Sequence, residues 1–206
     1  MNIRPVTGQT YRQAAQVLGR AFMADPVSLA VYQKFTPERM LKALVNDFHA
    51  ELKICIRRGY PILACDGDSI GGVAVIYPPG GYPLPTIDQW RLLIQSVIEN
   101  GFYNIRGWMS WLDEVERYHP SEPHFYLEYI GVEPENQGQG VGSKLLQHLV
   151  AKADEAQVGC YLENSNPRNL PFYERFGFQA GEQKEIIGLP AWLMWRPAAK
   201  TPAESA

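Results

Sequence analysis

The chain has 206 residues, 46% apolar and 20% charged, which is enough apolar material for a full core and an ordinary globular balance. Its net charge of −3, without a run of Lys or Arg, gives no electrostatic basis for binding nucleic acid. No apolar run approaches the ~20 residues of a membrane helix. Met1 to Pro5 shows no apolar stretch of the signal-peptide kind, so a cytoplasmic protein without a membrane partner is expected. Cys55, Cys65 and Cys160 are odd in number and scattered, which reads as buried thiols in a reducing compartment rather than a disulfide frame or a metal site.

Ile3 to Val6 reads as a short first strand. Thr10 and Gln13 have capping-box spacing, and Ala14, Leu18, Ala21 and Phe22 then share a helix face that Asp25-Pro26 should end. Thr36-Pro37 opens a second helix carrying Met40, Leu41, Leu44, Val45, Phe48 and Leu52 as far as Gly59. Tyr60–Cys65 and Ser69–Tyr77 flank Asp66-Gly67-Asp68 as a hairpin. After the Pro/Gly loop at 78–85, Thr86 and Gln89 predict another capping box. Ile87, Trp90, Ile94 and Val97 form one stripe, and Ile105, Trp108, Leu112 and Val115 another, with Trp111 beside it. The stripes place Trp90 and Trp108 in the core, whereas Trp111 and Tyr82 fall to a lid that touches substrate.

His124 to Val132 alternates and then turns wholly apolar, as a central strand does, except at Glu128. The Gly-rich stretch Gln137 to Lys144 leads into a helix with Val141, Leu145, Leu146, Leu149, Val150 and Ala153 on one face. A strand, a glycine turn and a helix N-terminus make an anion site, because the first turn leaves N–H groups unpaired and glycines let a phosphate approach. The order Gly142-Ser143-Lys144 does not fit a Walker loop, and Ser143 breaks the dinucleotide pattern. Val158 to Glu163 is a fifth strand, Asn169 an N-cap and Gly177 the end of a short helix. Ile186-Ile187 and Trp192 to Trp195 read as closing strands. The four histidines are dispersed without metal spacing, with His148 on a solvated face, and no metal is expected.

Gln137, Gly140 and Gly142 form Gln-x-x-Gly-x-Gly; Leu127 to Val132 precedes them, and Phe172-Tyr173 stands just ahead of Gly177-Phe178. In order and spacing these three landmarks resemble the GNAT superfamily of acyl-CoA N-acyltransferases, over roughly 124–178. Tyr161-Leu162-Glu163 and Asn169 to Gly177 look most like the branch containing puromycin N-acetyltransferase. The resemblance implies an α/β (α+β) fold: a mixed, mostly antiparallel sheet of about seven strands flanked by helices, with a helical insertion at about 79–120 between strands 3 and 4. One domain over 1–197 and a flexible tail over 198–206 are expected.

The resemblance also implies acetyl-CoA as acyl donor. Its pyrophosphate would rest on the amides of Gly138, Gln139, Gly140, Val141, Gly142 and Ser143, with Gln137 standing where the family often has Arg. Its pantetheine would lie along Ile130 and Val132, and Asn166 and Asn169 would add contacts. By the same likeness Tyr173 is the acid that protonates the leaving thiolate. Glu128, a carboxylate on a core strand, is the candidate base, with Tyr126 on the same face as a relay. The expected activity is acetylation of a small-molecule primary amine by direct attack in a ternary complex, by a monomer or homodimer. A non-catalytic acyl-CoA sensor and a protein or peptide acetyltransferase are the alternatives.

Overall fold

The computed structural model describes the backbone of residues 1–100 and 105–199, with the side chains of that range except 100, 105–108 and 110–112. Strands β1 (Asn2–Pro5), β2 (Ile62–Asp66), β3 (Ser69–Tyr77), β4 (His124–Val132), β5 (Gly159–Asn164), β6 (Gln179–Ile186) and β7 (Leu189–Arg196) form one sheet in the order β1-β2-β3-β4-β5-β7-β6. Every pairing is antiparallel except β4 with β5. The helices are α1 (Tyr11–Ala21), α2 (Pro26–Val31), α3 (Pro37–Arg58), α4 (Thr86–Asn100), α5 (Ile105–Tyr118), α6 (Val141–Glu155) and α7 (Leu170–Glu174). The helical insertion expected between the third and fourth strands is the pair α4 and α5.

Period-two alternation divides β3 between two apolar layers. Val73, Val75 and Tyr77 pack with Leu18, Leu44 and Leu52 of α1 and α3, while Ala74 and Ile76 pack with Leu145, Leu146 and Leu149 of α6. The three cysteines are buried free thiols within these layers. No described helix is long and apolar enough to cross a membrane.

Several local readings change. Thr10 Oγ1 accepts from the Thr7 amide at 2.9 Å and gives α1 no side-chain cap, so the Thr10/Gln13 box is absent. Asp25-Pro26 does more than end a helix: Asp25 accepts from Ser28 N at 3.0 Å and Pro26 opens α2. Thr36 caps α3 as expected. Gln89 does not cap α4, because its amide donates to Leu84 O (2.9 Å) and Glu116 Oε1 (2.8 Å) and ties α4 to α5.

Trp90 is not core; it is 56% exposed, as are Ile87 at 56% and Ile94 at 54%. The cause is Asp88, whose buried carboxylate is held by Arg58 (3.0 Å), Arg91 (2.9 Å) and Arg57 (3.5 Å). This clamp turns the Asp88 edge of α4 toward α3 and leaves Ile87 and Ile94 exposed, with Trp90 at the border of a cavity. His148 is half-buried rather than solvated, with its ring stacked on Tyr60 and Nε2 3.0 Å from the Tyr60 hydroxyl. The closing strands meet at Ile187 and Gly188, both with positive φ (49° and 78°), a two-residue hairpin turn in which Ile187 is not strand. The side chains of Trp108 and Trp111, and residues 102, 103 and 200–206 of the lid and tail readings, lie outside the described residues.

Candidate active site

β4 and β5 run together for three residue pairs, ending at Tyr126↔Tyr161, and then part. Two residues beyond that last pair stand Glu128 on β4 and Glu163 on β5, one carboxyl on each arm of the opening. On its other side β4 skips a residue: Ile76 pairs with Leu127 and Val75 with Tyr129, leaving Glu128 unopposed in a bulge. The extra residue resets the alternation, so Tyr126, Glu128 and Tyr129 all border the cavity on the α1/α3 side. Tyr129 is seated there by edge-on contacts with Phe22 and Phe48.

This cavity, of about 460 Å³, lies between the sheet and helices α2 to α5, with Tyr173 of α7 at its border. Tyr82, Tyr126, Glu128, Ile130, Asn169 and Tyr173, expected at the site from sequence, line it together. Glu51, Glu163, Asn164 and Ser165 line it as well and were not expected. Glu51 had a signal in the sequence: it follows Phe48 by three and Leu44 by seven, on the buried side of α3. Glu163 follows Tyr161 by two and so shares its face of β5.

The carboxyls differ in state. Glu51 accepts from the Tyr77 hydroxyl at 2.5 Å and is hydrogen-bonded to Glu128. Two buried carboxyls joined this way hold a proton between them. Burial, then the Glu51 charge, pushes Glu128 well above the usual carboxylate range; Glu51 is raised by burial and eased by Tyr77 and Glu128. The pair therefore keeps a proton, with Glu128 held up by the Glu51 charge as well as by burial, and Glu128 Oε2 has no hydrogen-bond partner among the described residues. Glu163 is pushed by burial up to about 7, with the Tyr126 and Tyr161 hydroxyls pulling it back. Those hydroxyls act on its charge, yet Glu163 Oε1 and Tyr161 OH fall short of full hydrogen-bond geometry. Burial, then the Asp25 charge, keeps Tyr173 above the ordinary phenol range, so its proton is present at any neutral pH.

At the far end of the opening, Gly138 and Gly140 adopt φ of +75° and +80°, which a Cβ would strain, and the space where each Cβ would point is empty. Gly140 is the N-cap of α6 and supplies no side chain; the first helical bond is Lys144 N to Gly140 O at 3.1 Å. The amides of Gly140, Val141, Gly142 and Ser143 thus have no acceptor within the helix. Gln137 and Gln139 turn their side chains back, donating to Val132 O (3.2 Å) and Glu135 O (2.9 Å), and so shape the loop. Asn166 Oδ1 accepts from Arg168 N at 3.1 Å, capping the turn before α7, and Asn166 does not line the cavity. Beyond Tyr126 the β5-facing edge of β4 has no strand partner among the described residues, and Ile130 and Val132 lie on that stretch. An anion cradle leading to an unpaired strand edge fits a nucleotide-linked, strand-like arm.

A family model described as the acetyltransferase (GNAT) family matches residues 29–178. An uncharacterised N-acetyltransferase of Schizosaccharomyces pombe is 25% identical over 190 residues, spanning 86% of this chain and 74% of that protein. A 5-NmdU N-acetyltransferase of Pseudomonas phage PaMx11 is 34% identical over 74 residues, 35% of this chain and 53% of the phage protein. Among solved structures, one described as histone acetyltransferase HPA2 and related acetyltransferase, from Corynebacterium glutamicum, superimposes with a TM-score of 0.70 at 25% identity over 98% of both chains.

Proposed function

Because the chain belongs to the GNAT acetyltransferase family and is an acyl-CoA-dependent N-acetyltransferase, we propose that it acetylates the primary amine of a small molecule with an apolar or aromatic body, by direct attack in a ternary complex. The cavity carries this reading. Asp25, Asp47, Glu51, Asp113, Glu116, Glu128 and Glu163 give it seven acidic side chains against, among the described residues, no basic one. Phe22, Phe35, Phe48, Tyr82, Trp90 and Tyr129 form aromatic walls. Acidic groups favour entry of an ammonium, and the rings favour a flat or apolar remainder.

Acetyl-CoA supplies an activated acetyl group on sulfur. In this proposal the amides from Gly138 to Ser143 hold its pyrophosphate and the open β4 edge at Ile130 and Val132 holds the arm. A backbone N–H near Ile130 faces the carbonyl oxygen as negative charge gathers there. Asn164, Ser165 and Asn169 close the α7 side of the slot, where Tyr173 donates to the departing sulfur. The base expected at Glu128 passes to Glu163, since a group titrating near 7 can take a proton from an ammonium and Glu128 already holds one. Neutral Glu128 orients the amine. Kinship to the puromycin branch is part of the same proposal.

An amine panel with acetyl-CoA, read by thiol release, tests it. Arylalkyl and alkyl monoamines should be acetylated, with kcat/KM rising with pH and levelling above about 7, because the base works only deprotonated. Turnover of peptide lysines alone would transfer the assignment to the protein acetyltransferase class. Acetyl-CoA binding without turnover of any amine would make the chain a sensor.

A further inference from the structure

Each turnover takes a proton from an ammonium, and Glu163 sits on the floor of a cavity that substrates fill, so the proton needs another way out. Behind that floor is a second cavity of about 580 Å³, bordered by Pro78, Glu122 and the His119–His124 pair. Tyr82, Glu116 and Tyr126 border both cavities, so a single layer of side chains separates them. Within that layer the His119 ring stands edge-on to Tyr126 (centroids 4.8 Å apart) and to Tyr161 (5.3 Å), the two tyrosines whose hydroxyls face Glu163.

The state of His119 follows from its neighbours. His124 Nδ1 is 2.6 Å from the Glu122 carbonyl, and a carbonyl only accepts, so His124 carries its proton there. Its Nε2 must then accept from His119 Nε2, 3.1 Å away. That leaves His119 Nδ1 a bare lone pair, buried and without a hydrogen-bond partner among the described residues. Glu163 Oε1 and the Tyr161 hydroxyl are buried and unpartnered in the same way. His119 packs against the Tyr161 ring, and the Tyr161 hydroxyl acts on Glu163, so the three atoms lie on neighbouring side chains without bonding one another at rest; buried polar atoms left so are costly in a fold unless used.

We propose that His119 is the proton outlet of this active site: the proton taken up by Glu163 passes through the Tyr161 hydroxyl to His119 Nδ1 and leaves by the second cavity. The inference rests on the acetylation reading above. At the first step an ammonium N–H bond breaks and a Glu163 O–H bond forms. Glu163 then gives that proton to the Tyr161 oxygen as Tyr161 gives its own to His119 Nδ1, so Tyr161 is neutral before and after. The imidazolium hands a proton to water or buffer base, and no electrons change hands. Facing His119 are Tyr82 before α4, Glu116 on α5, Tyr126 and His124 on β4 and Tyr161 on β5, with Glu122 and Trp195 against His124. Burial, then His124, holds His119 down to about 4, which suits a group that passes a proton on rather than storing it.

The test compares His119→Ala with wild type on the best amine, with and without added imidazole. The expected kcat loss is roughly 10²-fold, the lower end for a positioned proton-transfer group, with KM for acetyl-CoA unchanged. Imidazole, small enough for the second cavity, should restore part of it, whereas Tyr161→Phe should lose turnover without such rescue. His119→Ala within about twofold of wild type overturns the proposal, as does a loss that imidazole leaves untouched in a variant with wild-type melting. If His119→Ala does not fold, Tyr161→Phe decides: a lower kcat with a larger solvent deuterium isotope effect supports the outlet, and wild-type kinetics overturn it. A wild-type enzyme that acetylates no amine overturns the functional reading and the outlet together; an active enzyme indifferent to His119 overturns the outlet alone.

Discussion

Glu163→Gln should lower kcat by roughly 10²–10⁴-fold, the usual worth of a positioned acid–base group, while acetyl-CoA binds as before. The substitution keeps the shape of the side chain and an acceptor for the Tyr126 and Tyr161 hydroxyls, so the fold should survive. What it removes is a cavity carboxyl pushed to about 7, and the rise of activity with pH through that region should vanish with it. Tyr173→Phe should also lose turnover and retain acetyl-CoA, but should leave that rise in place, because its phenol stays protonated throughout. Glu128→Gln separates the two glutamates. A protonated carboxyl replaced by an amide keeps its donor, so the loss should be small. If Glu128→Gln abolishes turnover and Glu163→Gln stays within about twofold of wild type, the base is Glu128 and the sequence expectation stands over the present proposal.

Most strands along the chain and the glycine turn before α6 were legible because each depends on local pattern. Asp66-Gly67-Asp68, with Gly67 at φ +59°, marks the turn into the apolar run of β3, alternation passing into an apolar run marks β4, and glycines mark the start of α6. The Trp90 reading failed because periodicity finds an apolar stripe without saying which way it faces. Three arginines around Asp88, two of them contributed by α3, decided that. The capping boxes at Thr10 and Thr86 failed because nearer groups, Thr7 for one and Leu84 and Glu116 for the other, took the side chains. β6 was visible only at its end because it is a polar, largely exposed edge strand. At the site, Glu128 stood out as a lone carboxylate in an apolar strand, but its protonation state hangs on Glu51, 77 positions away in sequence and on another element. The pairing of β4 with β5 is also what sets Glu163 opposite Glu128, and no spacing along the chain reports it.

The glycine loop offers the second large effect. Gly140→Val should lose at least about tenfold in acetyl-CoA affinity, a change of ~1.4 kcal/mol, measured by calorimetry on the folded variant. Gly140 has φ +80°, a backbone region that a β-branched residue enters only under strain, so the loop should relax and carry the amides of Val141, Gly142 and Ser143 away from a common focus. The space around its Cβ position is empty, so no packing is lost and the cost to the fold should be confined to that strain, about 1–2 kcal/mol. Gly142→Ala makes the useful comparison. Its Cβ would meet Phe172 and Val132 at ordinary contact distances of 3.4 and 3.5 Å, and its φ carries no left-handed strain. The fold should therefore be unaffected, and any affinity lost there reports how closely a phosphate approaches the first turn of α6. Wild-type affinity in a folded Gly140→Val protein would mean that the pyrophosphate is held elsewhere, and the assignment of the loop from Gly138 to Ser143 would fall.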